Sequence, residues 1–170
     1  VVVAGKVLGD SIVPRIVEAT RDEAENVRRR AFDALLELEP RSPAVVKAAL
    51  EGVFDSDWWV SGTCLRILHA QNDAKVQDEI GKRLAHDAKR LQEHNAAQVF
   101  TLLAVRWPRR AVPALVHGLR SDDDAVVKAA LKVVEEARMR DALPDVRTVA
   151  ESRKPLLTPM AAHCLGIMRD

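Results

Sequence analysis

One pattern of side chains recurs five times along this chain, at intervals of 31 to 34 residues. Each copy starts at an anchor residue and places small or apolar side chains four, five, seven and eight positions later. Residues four, seven and eight positions apart lie on one face of an α-helix. The pattern therefore predicts five amphipathic helices, one in each repeat, with anchors at Val27, Val60, Gln92, Val126 and Leu157.

Prolines predict a second helix in every repeat, ahead of the first. Pro14, Pro113 and Pro144 each lie 13 residues before an anchor, and the first helical turn tolerates proline because its missing N–H would be unpaired there. They predict where the leading helices start, with Lys47 and Glu79 at the equivalent positions of the second and third repeats. We therefore expect a single domain of five helical hairpins, at about residues 10–39, 40–71, 72–106, 107–139 and 140–170.

The composition agrees with an all-α chain and excludes several other classes. Hydrophobic residues make up 48% and aromatic residues 4% of the chain, so the apolar mass comes from side chains that suit closely packed helices. No stretch of eighteen apolar residues is present, so no membrane span is expected. Cys64 and Cys164 lie in apolar helical stretches and predict buried thiols in a reducing, cytoplasmic compartment.

Several segments resemble HEAT repeats, especially the short bacterial form first noted in phycobilisome lyases. The resemblance covers nearly the whole chain, and the segments that carry it are Val7-Leu8-Gly9-Asp10-Ser11-Ile12-Val13-Pro14, Asn26-Val27-Arg28-Arg29-Arg30-Ala31, Val112-Pro113-Ala114-Leu115-Val116 and Ala161-Ala162-His163-Cys164-Leu165-Gly166. It implies an α-solenoid, a right-handed superhelix of about five hairpins whose second helices line a concave groove. HEAT arrays serve many unrelated tasks, so the resemblance concerns the fold more than the function.

The Asp and Arg ladder that often joins neighbouring HEAT repeats is kept only in part. Asp57 and Asp123 occupy the acidic position, but Ser61 and Val127 stand where Arg would follow. We therefore expect the interfaces between repeats to rely mainly on apolar packing.

The N-terminal residues, 1–8, are predicted to be the end of a preceding second helix. Ala4, Val7 and Leu8 have the spacing of such a helix, and Val1 to Val3 are the opposite of a polar cap. These residues predict that the sequence is a fragment of a longer protein. An aliphatic helix end left exposed in this way would favour self-association.

Patterns that indicate catalysis are missing from the sequence. The five histidines form no pair four residues apart, so the helical two-histidine zinc arrangement is absent. The His-Glu dipeptides that bind metal in the HEAT-like deoxyhypusine hydroxylases are absent too, as is a Gly-x-Ser-x-Gly nucleophile elbow. We therefore expect no enzyme activity and no catalytic, metal or cofactor site.

The second helices are predicted to present a polar, basic row to the groove. Offsets of two, three, six and nine from each anchor should point away from the buried face, and Asp33, Thr63 and Asn95 are among these positions. An ordinary solvated helix face is one interpretation of the row, and a groove for an acidic ligand is the other. The candidate partner-binding residues are Arg29, Arg30, Trp59, Arg66, His94, Lys128, Lys132 and His163.

Three tryptophans add apolar candidates. Trp59 shares a helical stripe with Thr63 and Arg66 and should stand near the groove, whereas Trp58 should lie closer to the core. An alternative is that both plug the junction between the two helices of their hairpin. Trp107, just before a proline, is predicted to end a helix by packing over the turn.

The sequence thus favours a non-catalytic protein-interaction scaffold that binds a protein or acidic peptide in its groove. The alternative is a nucleic-acid-binding array that resembles the HEAT-like alkylpurine DNA glycosylases, although no catalytic Asp can be matched residue by residue. A bilin lyase subunit is a third interpretation, which only the repeat type supports.

Overall fold

A computed structural model describes residues 12–168 of the chain, so the expectations for residues 1–8 lie outside the described residues. The described part contains ten α-helices and no strand, which confirms the all-α prediction for these residues. Two short 3₁₀ turns, Ala88–Arg90 and Arg140–Ala142, interrupt the series. In chain order the helices are α1 (12–19), α2 (Glu25–Leu38), α3 (Pro43–Gly52), α4 (Trp58–His69), α5 (Ala74–His86), α6 (Glu93–Arg106), α7 (Pro108–Leu119), α8 (Asp124–Glu136), α9 (Leu143–Glu151) and α10 (Leu157–Ile167).

Contacts divide the chain into two compact units, residues 1–80 and 81–170, and the boundary falls inside α5. In the first unit, α4 packs against both α2 and α3. In the second unit, α6 packs against α7 and α8, and α10 packs against α8 and α9. Within each unit, the second helix of one predicted hairpin therefore lies beside the second helix of the next.

The repeated side-chain pattern correctly predicts most of the core. All five residues four positions after an anchor are buried, and each has a small side chain that lets neighbouring helices approach closely. The pattern is wrong at Ala97 and Ala162, which are exposed, and at the exposed anchors Val27 and Gln92. The buried small residues are Ala31, Cys64, Ala96, Ala130 and Ala161.

The leading-helix start that Pro14 predicts lies at the edge of the described residues and stays a prediction, and of the other four predicted starts one is correct. Pro144 lies in the first turn of α9, as expected. Pro113, however, is an interior residue of α7, which begins at Pro108. The leading helices of the second and third repeats likewise begin at Pro43 and Ala74, four or five residues before the predicted positions. These three helices start one turn earlier than the 13-residue spacing predicts. In α3 and α7 a proline in the first turn marks the true start.

Trp107 separates α6 from α7, as predicted. It is the last capping residue of α6 and the first of α7, and its backbone N–H bonds the carbonyl of Leu103 at 2.8 Å. Its ring lies against Gly81 on α5, where a Cβ atom would stand 2.8 Å from the ring. Only glycine therefore fits beneath this indole without a shift of the ring.

Charged pairs join neighbouring repeats in both units, in addition to the buried apolar side chains, and the expectation of mainly apolar interfaces stays a prediction. Arg28 on α2 bonds both carboxylate oxygens of Asp55, at 2.8 and 2.9 Å. Arg29 on the same helix bonds Asp57, the acidic position of the predicted ladder, from 28 residues earlier in the chain. In the second unit, Arg120 pairs with Asp145, and Lys154 pairs with Asp124.

Candidate functional site

Two adjacent tryptophans stand exposed at the first turn of α4. The helix begins at Trp58 because the Asp57 side chain accepts a hydrogen bond from the backbone N–H of Val60. Trp58 is 63% exposed and Trp59 is 43% exposed, and their rings meet edge to face with centroids 5.4 Å apart. Trp58 is therefore not closer to the core than Trp59, and neither ring plugs the hairpin junction. Although the two rings pack on each other, more than half of Trp58 and a large part of Trp59 remain open to solvent.

The indole of Trp59 is oriented by a carboxylate on the neighbouring helix. Its Nε1–H lies 3.2 and 3.3 Å from the two oxygens of Asp33 on α2. The Thr63 hydroxyl donates to the same carboxylate at 3.3 Å. Asp33 thus holds one exposed aromatic ring against the α2–α4 interface, which fixes the direction in which the ring faces.

Two arginines lie one helical turn from this contact. Arg30 is three residues before Asp33 on α2, and Arg66 is three residues after Thr63 on α4, so each shares a face with the residue it neighbours. Both arginines are exposed, and neither forms an ion pair with any residue between 12 and 168. We call the set of Arg30, Asp33, Trp58, Trp59 and Arg66 the tryptophan surface.

Other predicted groove residues are occupied in internal contacts. Arg29 bonds Asp57, so its charge is largely compensated within the fold, and these hydrogen bonds raise its pKa. Lys132 lies 3.8 Å from Glu136 on the same helix, and His163 on α10 lies 3.9 Å from Glu135 on α8. The predicted basic row is therefore less basic than its sequence indicates.

The remaining candidates differ in exposure and belong to both units. Lys128 is exposed and His94 is half-buried, and both lie in the second unit with Lys132 and His163. Arg29, Arg30, Trp59 and Arg66 belong to the first unit. The packing of α2 on α4 joins Trp59 to Asp33, and Arg30 and Arg66 each lie one helical turn from the contacts of Asp33, so these three candidates border the same helix pair.

Two residues expected in the groove are buried instead. Thr63 is 3% exposed and bonds Asp33, while Asn95 is fully buried. The Asn95 side chain accepts a hydrogen bond from the backbone N–H of Gln92 at 2.8 Å and closes a capping box at the start of α6. The position of Asn95, three residues after the polar Gln92, is a sequence signal for this cap.

The roles of Asp33 and Trp58 were not anticipated from the sequence. Asp33 appears there only as one acidic position in a basic row, and nothing in its neighbourhood indicates an indole partner 26 residues away. Trp58 was assigned toward the core from helical spacing alone. A paired Trp-Trp directly after an Asp cap is the sequence signal that would have placed both rings at an open helix end.

The described residues offer little for metal or thiol chemistry. Between residues 12 and 168 no group of three or more His, Cys, Asp or Glu side chains could hold a metal ion. Both cysteines are buried and free, and burial raises the pKa of each thiol, further for Cys64 than for Cys164. No helix in the described part of the chain has both the length and the apolar character needed to cross a membrane.

Comparisons with solved structures include a distant likeness to an engineered protein. No protein-family model matches the chain, and no curated protein matches it. A crystal structure of an engineered protein from the Northeast Structural Genomics Consortium aligns with a TM-score of 0.49 at 16% sequence identity. The alignment covers 91% of this chain and 80% of that chain. Arguments about function therefore rest on the residues of this chain.

Proposed function

We propose that this chain is a non-catalytic protein-interaction module that binds an acidic segment of a partner protein at the tryptophan surface. We further propose that its hairpins are HEAT-like repeats of a right-handed α-solenoid in a reducing, cytoplasmic compartment. The side-by-side packing of second helices within each unit supports the repeat architecture. One observation carries the binding proposal: two neighbouring indoles are exposed while one of them is held in place by Asp33.

The apolar part of this surface suits protein recognition. Tryptophan is among the residues that most often dominate binding energy at protein interfaces. Because the Asp33 carboxylate already orients Trp59, binding would cost less side-chain entropy than ordering a freely rotating ring. The edge-to-face pair presents both an indole face and an indole edge to an incoming apolar side chain.

The polar part of the surface indicates an acidic partner. Arg30 and Arg66 carry the positive charges of the tryptophan surface that no described acidic side chain pairs. Guanidinium groups bind carboxylates through two parallel hydrogen bonds, which adds orientation to the attraction. The favoured ligand is therefore a short segment with a large apolar side chain flanked by Asp or Glu.

A nucleic acid fits this surface less well. Only two cations on it, Arg30 and Arg66, lack an ion pair with a described residue, which is few for a phosphate chain whose binding depends on many such contacts. The interpretation as an array related to alkylpurine DNA glycosylases therefore has little support from the tryptophan surface, and an acidic polypeptide is preferred.

The proposal can be tested with a labelled peptide that carries one central leucine and flanking glutamates. Fluorescence anisotropy would compare wild type with Trp59→Ala, Trp58→Ala and the double variant Arg30→Ala, Arg66→Ala. We expect Trp59→Ala to weaken binding by roughly 30-fold, as for an interface residue worth about 2 kcal/mol. The double arginine variant should also weaken binding and reduce its salt dependence.

Matched controls come from the second unit and from the peptide. Lys128→Ala with Lys132→Ala removes two exposed cations outside the tryptophan surface and should leave the affinity unchanged. A peptide with lysines in place of its glutamates should not bind. Equal binding by wild type and Trp59→Ala, with both proteins folded, would show that the tryptophan surface is not the site.

A further inference from the structure

Charge is unevenly distributed along this nearly neutral chain. Residues 82–110 contain seven Lys and Arg and two Asp and Glu, a net charge of +5. The rest of the chain contains the other 19 Lys and Arg and 23 Asp and Glu, a net charge of −4. These 29 residues therefore form a strongly basic segment, although the net charge of the whole chain is only +1.

The fold gathers these charges from three elements of the second unit. Trp107, at the start of α7, lies on Gly81 of α5, so the residues next to each of them are close in space. The 3₁₀ turn Ala88–Arg90 packs against α7. Packing therefore brings together the basic residues that follow Gly81, those of the 3₁₀ turn and those that follow Trp107.

One of the two acidic residues in this segment, Asp87, forms its contacts with basic residues of the same segment. Asp87 is buried, and its carboxylate accepts hydrogen bonds from Arg83 Nε at 2.6 Å and from His86 Nδ1 at 2.9 Å. Arg90 lies 3.7 Å from the same carboxylate. Burial alone would raise the pKa of Asp87, but the hydrogen bonds from His86 and Arg83 outweigh it and lower the pKa. The buried carboxylate thus anchors basic side chains that remain partly exposed.

We propose that this part of the second unit binds the sugar–phosphate backbone of double-stranded nucleic acid without reading its sequence. We call it the basic surface, and its residues are Lys82, Arg83, Lys89, Arg90, Arg109 and Arg110. It is distinct from the tryptophan surface, which belongs to the first unit.

The side-chain chemistry suits phosphate groups. Four of the six residues are arginines, whose planar forks match phosphate oxygens two at a time. A single-strand site would need exposed aromatic rings on which bases stack. Residues 81–170 contain two aromatic residues; Phe100 is fully buried, and Trp107 is half-buried with its ring against Gly81. Backbone contacts to a duplex are therefore the favoured mode.

The test uses a fluorescein-labelled 20-base-pair DNA duplex, with anisotropy measured between 20 and 200 mM salt. If all six basic residues contact phosphates, the logarithm of the association constant should fall against the logarithm of salt with a slope of roughly −5. Lys89→Glu with Arg109→Glu reverses two exposed charges that form no ion pair with any described residue. This variant should weaken binding at least tenfold at low salt and reduce the slope by about 2.

A matched control distinguishes binding at the basic surface from a general effect of the protein's net charge. Arg30→Glu with Arg66→Glu changes the total charge by the same amount in the first unit and should alter duplex affinity less than twofold. A duplex RNA of the same length should bind as the DNA does, and a single strand should bind more weakly. The inference is overturned by any of three results: no duplex binding at 20 mM salt, equal losses in the two variants, or equally tight binding of poly-glutamate.

Discussion

The guanidinium of Arg29 on α2 bonds both carboxylate oxygens of Asp57, the residue that caps α4. The Nε–Oδ1 distance is 2.9 Å and the Nη2–Oδ2 distance is 2.5 Å, while Oδ1 also accepts the backbone N–H of Val60 at 3.0 Å. A single buried carboxylate therefore satisfies the start of one helix and ties it to the helix of the preceding repeat. The hydrogen bond from Arg29, strengthened by that from Val60, lowers the pKa of Asp57.

Replacing Asp57 by alanine should destabilise the first unit beyond the loss of a helix cap. Removing an Asp cap costs about 1 kcal/mol, and this variant also leaves Arg29 without its main partner. Urea unfolding followed by circular dichroism measures the change. Asp123→Ala is the matched control, because Asp123 caps α8 through Ala125 N–H at 2.9 Å and forms no ion pair with any described residue. Equal losses in the two variants would show that the Arg29 pair contributes nothing.

Acidification should remove the contribution of Asp57. Because the folded-state pKa of Asp57 lies below its ordinary value of 3.8, the stabilisation is fully present above that value and is lost as pH falls through the folded pKa. Asp57→Asn keeps a capping side chain but cannot titrate. We expect the difference in unfolding free energy between wild type and Asp57→Asn to be constant from pH 7 to pH 5 and to shrink below pH 4. Urea is the suitable denaturant, since it does not screen charges. A difference that stays the same down to pH 3 would contradict the ionic contribution.

Gly81→Ala should destabilise the second unit by about 1–3 kcal/mol, the cost typical of overpacking a filled site. The new methyl group would stand 2.8 to 3.0 Å from three atoms of the Trp107 ring. Gly62→Ala on α4 is the opposite control, since a Cβ atom there meets nothing within 4 Å and alanine favours a helix interior by about 1 kcal/mol. Urea midpoints should therefore move in opposite directions. A Gly81→Ala protein as stable as wild type would mean that the indole moves aside without cost.

Both thiols should resist labelling in the folded protein. Cys64 and Cys164 are fully buried, and the raised pKa of each disfavours the reactive thiolate at neutral pH. Ellman's reagent should titrate both cysteines rapidly in concentrated urea but only slowly under native conditions, at a rate set by opening of the fold. Cys164→Ser and Cys64→Ser assign the two phases. Rapid labelling of either thiol in native buffer would contradict the buried placement.

The sequence by itself largely determined which residues of each second helix are buried, because this depends on local periodicity. The positions four residues after each anchor are all buried, because helical spacing depends only on neighbouring residues and on which of them avoid water. The exposed Ala97 and Ala162 show the limit of that logic, since alanine gains little from burial and is tolerated on either face. Trp107 was placed correctly for the same local reason, because the proline after it restricts its backbone.

Contacts between helices were decided only by the tertiary structure. The bonds from Arg29 to Asp57 and from Trp59 to Asp33 join residues 28 and 26 positions apart, and they depend on how α2 and α4 lie against each other. The basic surface arises in the same way, because it depends on the contact of the Trp107 ring with Gly81 of α5, 26 residues earlier in the chain. Helical spacing predicts the face of the helix on which a side chain lies. Packing determines which other helix lies opposite that face. The residues of that other helix determine whether an arginine is paired and whether a tryptophan is exposed.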